Sequence, residues 1–278
     1  MTHARVALRP AAAIAAATFG VVATAAADLP RYEAPALQVR SNIVDGFNLP
    51  PGSSFNSGTP AIADDGSVAM RLLVVGGTGR GGVWRGPGDG TGSVAFQTSP
   101  ELLPADVAFA PDGSLVFEIY DIFTEGIFRL PPGGDAELVV PPGGPFGVNT
   151  FSNPQPAAGG DLVVRGGNFG GNRWIRVAGA DGAQESLVAE SSPGIGFLFV
   201  PAGDAAARAI GKVRLGSTGG DQPDEIRRYA GPGDFVTLAR DDDADPASPF
   251  TSFDNSVGAT PDGRAAFIAN LVGGGRGV

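Results

Sequence analysis

Residues 106–118 read DVAFAPDGSLVFE and are followed at 126–130 by GIFRL. The same order of residue types returns on both sides. Residues 60–71 read PAIADDGSVAMR, with GVWRG at 82–86, and residues 153–166 read NPQPAAGGDLVVRG, with RWIRV at 173–177. A fainter copy, VPAGDAAARAIGKVRL at 200–215, precedes EIRRY at 225–229, and a fifth, NSVGATPDGRAAFIAN at 255–270, precedes Gly277 and Val278. The turn glycines Gly66, Gly113 and Gly160 stand 47 residues apart; the fourth copy places its glycine at Gly203 and the fifth at Gly263. The longer last interval holds 240–249, read as an insertion between two copies. A repeat of this length built from several short strands is the mark of a propeller or stacked array.

One copy read physically gives four strands. Residues 59–63 form a short strand, and Asp64-Asp65-Gly66 a tight turn in which glycine supplies the positive φ and aspartate bonds its own backbone. Residues 67–75 form the longest strand, 76–81 a loose hairpin, 82–85 a third strand and 93–97 a fourth. The second strands, SVAMRLLVV and SLVFEI, are apolar on both faces, as a sheet packed between two other sheets must be. No copy can bury both faces alone, so the copies need each other. The fold class is therefore all-β: a β-propeller-like array of four-stranded antiparallel blades. The blades are placed at 55–100, 101–146, 147–194, 195–250 and, in part, 251–278. Five visible copies, one partial, predict an incomplete propeller. Residues 37–41, LQVRS, read as a lone outer strand that completes the last blade.

The blocks PAIADDGSVAM, GVWRG, GIFRL and RAAF, with Gly263 before the last, resemble the NxxGxxAF repeat of bacterial secreted "choice-of-anchor" proteins. The likeness runs from Phe55 to the end. The family's asparagine is replaced by Ala63, Ala110, Ala157 and Thr260. The resemblance implies a secreted repeat scaffold and brings no catalytic residue with it.

Residues 1–27 have the form of a signal peptide: Arg5 and Arg9, an apolar stretch at 11–27, and an Ala25-Ala26-Ala27 cleavage signal before Asp28. The stretch is short for a membrane anchor, and the rest of the chain has no longer apolar run. Residues 28–278 then form one repeat domain, secreted to the cell surface, the medium or the periplasm. The net charge of −10 excludes nucleic acid as a partner. With no cysteine, disulfides and thiolate chemistry are absent, and the one histidine, His3, leaves with the leader. A Ser-His-Asp triad and histidine-bound zinc are thereby excluded.

The sharpest metal candidates are Asp241, Asp243 and Asp245, whose alternation could gather carboxylates on Ca²⁺; the competing reading is a solvated loop between blades. Gly77 to Gly82 spell GTGRGG, which matches a dinucleotide fingerprint, but a strand follows it rather than a helix, so it reads as a hairpin. Arg85, Arg129, Arg176 and Arg228 recur on the third strand, where they could line a shared face and bind anionic sugars; the favoured reading has them alternate outward and pair with carboxylates of neighbouring blades. Trp84, Trp174, Phe117, Phe128 and Phe267 are expected to pack in the core or between blades, the competing reading being a carbohydrate platform. Asp106, Glu118, Asp121 and Glu125 could supply an acid–base pair, though spacing does not pair them. The function expected is a non-catalytic, monomeric scaffold or binding module for a protein or glycan. The alternative is a carboxylate hydrolase or lyase acting on an extracellular glycan, with calcium as its one candidate cofactor. A pocket of three or more polar groups at the inner strands would favour the enzyme; small apolar lining would favour the scaffold.

Overall fold

The structure, a computed structural model, describes residues 37–41, 47–55, 60–219 and 222–278; the leader at 1–27 lies outside the described residues. Blade 1 contains β1 (Ala61–Ile62), β2 (Val68–Leu72), β3 (Arg80–Gly86) and β4 (Ser93–Pro100). Blade 2 contains β5 (Leu103–Phe109), β6 (Leu115–Tyr120), β7 (Thr124–Leu130) and β8 (Glu137–Val140). Blade 3 contains β9 (Thr150–Pro156), β10 (Leu162–Asn168), β11 (Gly171–Val177) and β12 (Gln184–Ala189). Each is a meander paired antiparallel in chain order. Blade 4 opens with an interrupted first strand, β13 (Ile195–Leu198) and β14 (Ala202–Gly203). Both halves pair with β15 (Ala209–Leu215), and β16 (Asp224–Gly231) and β17 (Asp234–Arg240) follow. Blade 5 has three strands, β18 (Phe250–Ala259), β19 (Ala265–Leu271) and β20 (Arg276–Gly277). The all-β, propeller-type reading therefore holds, and the acidic insertion joins β17 to β18.

Strand alternation explains why these sheets stack. Val83 and Trp84 are successive residues of β3, yet Val83 packs with Leu115 and Phe117 of blade 2 while Trp84 packs with Leu72 and Val75 on the opposite face. In β11, Trp174 faces Leu198, Val213 and Tyr229 of blade 4, and Ile175 faces Val116 and Ile127 of blade 2. Successive side chains point to opposite faces, so a strand apolar at every position serves two interfaces. The core is accordingly divided into clusters between consecutive blades, the last uniting Ile226 with Phe253 and Ala269. Trp174 and Tyr229 meet edge to face across the interface between blades 3 and 4, 5.7 Å apart.

Every blade turns from its first full strand into its second in one way. The residues at 63, 110, 157, 204 and 260 donate their N–H to the carbonyl four positions on, at 2.8–3.3 Å. The left-handed residue is Gly66, Gly113, Gly160, Ala207 and Gly263, with φ of 84°, 80°, 89°, 53° and 85°. The fourth turn thus corrects the alignment on Gly203, which lies in β14 opposite Ala209. Ala207 occupies the turn, and the first four copies keep their 47-residue spacing. Asp204 holds alanine there: its Oδ1 accepts the N–H groups of Ala206 and Arg208 at 3.0 Å, and its Oδ2 takes Arg208 Nε at 2.6 Å.

Residues 37–41 are also corrected. They do not complete blade 5. Arg40 bridges to Phe47, and Val39 packs with Leu49, Leu72 and Trp84 on the outer face of blade 1. Trp84 Nε1 donates to the Asn48 carbonyl at 2.9 Å, and Asn48 Nδ2 donates to the carbonyls of Gln38 and Gly90. The segment covers the face of blade 1 that blade 2 leaves bare.

At Gly66 a Cβ would meet open space, so Gly66→Ala isolates the cost of left-handed backbone. The expected loss is about 1 kcal/mol, seen as a lower urea midpoint with an unchanged slope.

Candidate functional site

The innermost strands line the axis, and two of them are bent by the same device. Asp106 on β5 and Asn153 on β9 stand 47 residues apart, with φ of 48° and 52°. Both lie where the inner strand slips register, between the pairs of Ala105 and Ala108 in blade 2 and between those of Ser152 and Gln155 in blade 3. Aspartate and asparagine tolerate left-handed backbone better than other side chains, and such a bulge re-aims the side chain it carries. Asp106 Oδ2 accepts the Asn153 N–H at 2.8 Å, and Asn153 Nδ2 donates to the Pro201 carbonyl at 2.9 Å. Blades 2, 3 and 4 are stitched in sequence.

A cavity of about 420 Å³ opens beside these bonds, with Arg71, Asp106, Asn153, Gln155, Ile62 and Phe109 on its wall. At the end where the inner turns converge, a wider opening of about 720 Å³ is bordered by all five blades, including Asp64, Asp112, Ala158, Ala205 and Pro261. Asp65 and Asp112 hold their turns, accepting the N–H groups of Ser67 and Ser114 at 2.8 and 3.1 Å.

Behind the cavity lies the buried Glu118 of β6, opposite Ala105. Its Oε1 accepts the Phe151 N–H of blade 3 at 3.1 Å. Burial pushes its carboxyl up to about 7, and the negative charge of Asp106 adds to the rise, while the hydrogen bonds from Thr124 and Phe151 oppose it. Asp106 follows Ala105, the residue opposite Glu118, so of the four acidic candidates these two lie on adjoining positions of the β5–β6 pair. Asp121 instead caps its own loop through the N–H of Phe123, and Glu125 is exposed.

The other sequence candidates have local duties. Asp241 is buried; its Oδ2 accepts the Asp224 N–H at 2.8 Å and its Oδ1 the Ala244 N–H at 2.9 Å. Asp245 accepts the Ala247 N–H, and Asp243 is exposed. Among the described residues no three acidic or histidine side chains converge. Arg85 and Arg228 donate to the carbonyls of Gly113 and Gly263, each in the next blade's turn, and Arg176 donates to Ala230 of blade 4. Their cross-blade partners are carbonyls; the carboxylates paired with Arg129 and Arg176 are Asp112 and Glu185 of their own blades. Trp84, Trp174 and Phe117 are fully buried, and Phe128 and Phe267 join the interface clusters. The GTGRGG loop is the hairpin between β2 and β3.

No family model matches the chain, and no curated protein does. Solved structures do. Prolyl oligopeptidase B from Galerina marginata, in its apo form, matches with a TM-score of 0.53 at 14% identity, covering 78% of this chain and 30% of its own. A puromycin hydrolase matches with a TM-score of 0.50 at 19% identity, covering 81% of this chain and 36% of its own. The chain spans about a third of the length of these proteins. The likeness to such β-propeller proteins shows the fold.

The raised carboxyl of Glu118 gives a signed prediction. The folded state holds its proton more tightly than the unfolded chain, so this group's contribution to stability falls as pH rises from about 4.5 to about 7. Glu118→Gln keeps an acceptor for Phe151 and cannot ionise. Its melting midpoint relative to the parent should therefore rise between pH 4.5 and pH 8; a constant difference would show that Glu118 is not held neutral by burial.

Proposed function

We propose that the chain is an exported, non-catalytic binding module whose ligand enters the axial cavity between blades 1, 2 and 3. The observation that carries this reading is the cavity wall: one guanidinium, two amides and a single carboxylate, with that carboxylate already bonded to the neighbouring blade. Polar groups converging on a concave surface suit recognition. The leader-like segment at 1–27 and the likeness of the repeat to "choice-of-anchor" proteins support a role outside the cytoplasm.

A second reading, a carboxylate hydrolase or lyase, has one observation in its favour: Glu118, with its carboxyl near 7, lies beside Asp106. General acid catalysis requires a proton donor within reach of the scissile bond. Glu118 is buried and accepts hydrogen bonds from Phe151 and Thr124, which favours a structural role.

The test is to pass the full chain over an array of extracellular glycan fragments and peptides, then to identify what is released by mass spectrometry. The binding reading expects saturable retention of an unaltered ligand. Turnover that disappears in Glu118→Gln would establish the hydrolase instead.

A further inference from the structure

One position of the repeat is charged in four successive blades. Arg71 on β2, Glu118 on β6, Arg165 on β10 and Lys212 on β15 stand 47 residues apart. In three of them the side chain is bonded to the backbone of the next blade. Glu118 Oε1 accepts from Phe151, Arg165 Nε donates to the Leu198 carbonyl at 2.9 Å, and Lys212 Nζ donates to the Phe253 carbonyl at 2.9 Å. Lys212 also pairs with Asp224 at 3.0 Å. Arg71 breaks the series. The residue of blade 2 that corresponds to Phe151 and Leu198 is Pro104, and Arg71 Nε is buried with no hydrogen-bond partner. Among the described residues no carboxylate forms an ion pair with it. A buried N–H without a partner is costly, and this one belongs to a side chain on the wall of the axial cavity.

The surroundings narrow what it would take. Arginine presents a planar fork that fits a two-oxygen anion. Asp106 faces the same space, so a doubly charged anion such as phosphate is opposed while a single charge is met by Arg71. Gln155 makes only a long 3.4 Å bond, to its neighbour's carbonyl, which leaves its amide available to hydroxyl groups. Phe109 and Ile62 add an apolar wall suited to the C–H face of a sugar ring. A volume of about 420 Å³ is that of a small-molecule site.

We infer that the axial cavity binds a sugar acid, with its carboxylate on Arg71 and its hydroxyls toward Gln155 and Asn153. The inference rests on the reading of the cavity as a binding site and specifies its ligand class. The test is calorimetric titration of the full chain with D-glucuronate, D-glucose, N-acetyl-Ala-Ala and inorganic phosphate. The variants are Arg71→Gln, Arg71→Lys and, at an exposed position outside the cavity, Arg80→Gln; their melting midpoints establish that each is folded. Glucuronate should bind the parent and Arg80→Gln alike, about tenfold more weakly to Arg71→Lys and more weakly still to Arg71→Gln. Glucose and phosphate should bind at least about tenfold more weakly than glucuronate. Undiminished binding to Arg71→Gln, or equal binding of glucose, overturns the assignment of the carboxylate to Arg71. Equal binding of the peptide acid or of phosphate overturns the sugar acid. No glucuronate binding at all overturns this inference and leaves the broader binding reading to the array, where a ligand retained regardless of Arg71 would keep it standing.

Discussion

Trp174 and Ile175 are adjacent in the chain and are buried in different interfaces, and the rest of the molecule depends on that fact. A strand whose successive side chains are both apolar has no solvent face. Each sheet must therefore be sandwiched, and stability resides between blades as much as within them. The two ends of such a row need other solutions. At blade 1 the row is covered by residues 37–41 and 47–55, fastened through Trp84 and Asn48. At the other end, blade 5 meets blade 4 through a smaller cluster around Phe253.

Polar groups near the axis obey the same constraint. Blades 2, 3 and 4 each offer the next blade a side chain for a backbone group: Asp106 to Asn153, Glu118 to Phe151, Asn153 to Pro201, Lys212 to Phe253. These bonds hold the register of one blade against the next, and they also consume most of the chemistry that the sequence displays. Among the described residues Arg71 Nε, Arg173 Nε and Gln184 Oε1 are buried without a hydrogen-bond partner, and of these Arg71 stands on the cavity wall, beside the weakly bonded amide of Gln155.

The sequence disclosed the fold well and the site partly. Strands and turns were readable because Val, Phe and Ile alternate or run together between glycines, and because Asp65 and Asp112 precede their turn glycine in the expected way. The fourth turn was misplaced because Ala207 holds a conformation that only glycine advertises, and its support, Asp204, acts through hydrogen bonds that no spacing reveals. Residues 37–41 read as a lone strand, but the bonds that place them join Gln38 to Asn48, Gly88 and Gly90, partners that the local sequence does not reveal. Asp106 and Asn153 carried a usable signal, the repeat interval itself. The same interval links Arg71, Glu118, Arg165 and Lys212, a pattern hidden by their differing charge. In Asp241, Asp243 and Asp245 composition suggested convergence, whereas the backbone turn takes two of the three carboxylates for its own N–H groups.

If the interfaces carry the stability, the blades cannot melt one by one. Trp84 reports the covered face of blade 1, and Trp174 the interface of blades 3 and 4. Urea unfolding of the full chain, followed by the fluorescence of each tryptophan in turn with the other replaced by phenylalanine, and by far-ultraviolet circular dichroism, compares them directly. Once each variant is referred to its own circular dichroism curve, a single coincident transition is the result this account predicts. A Trp84 transition separated from that of Trp174 would show blades that stand on their own, and would contradict it.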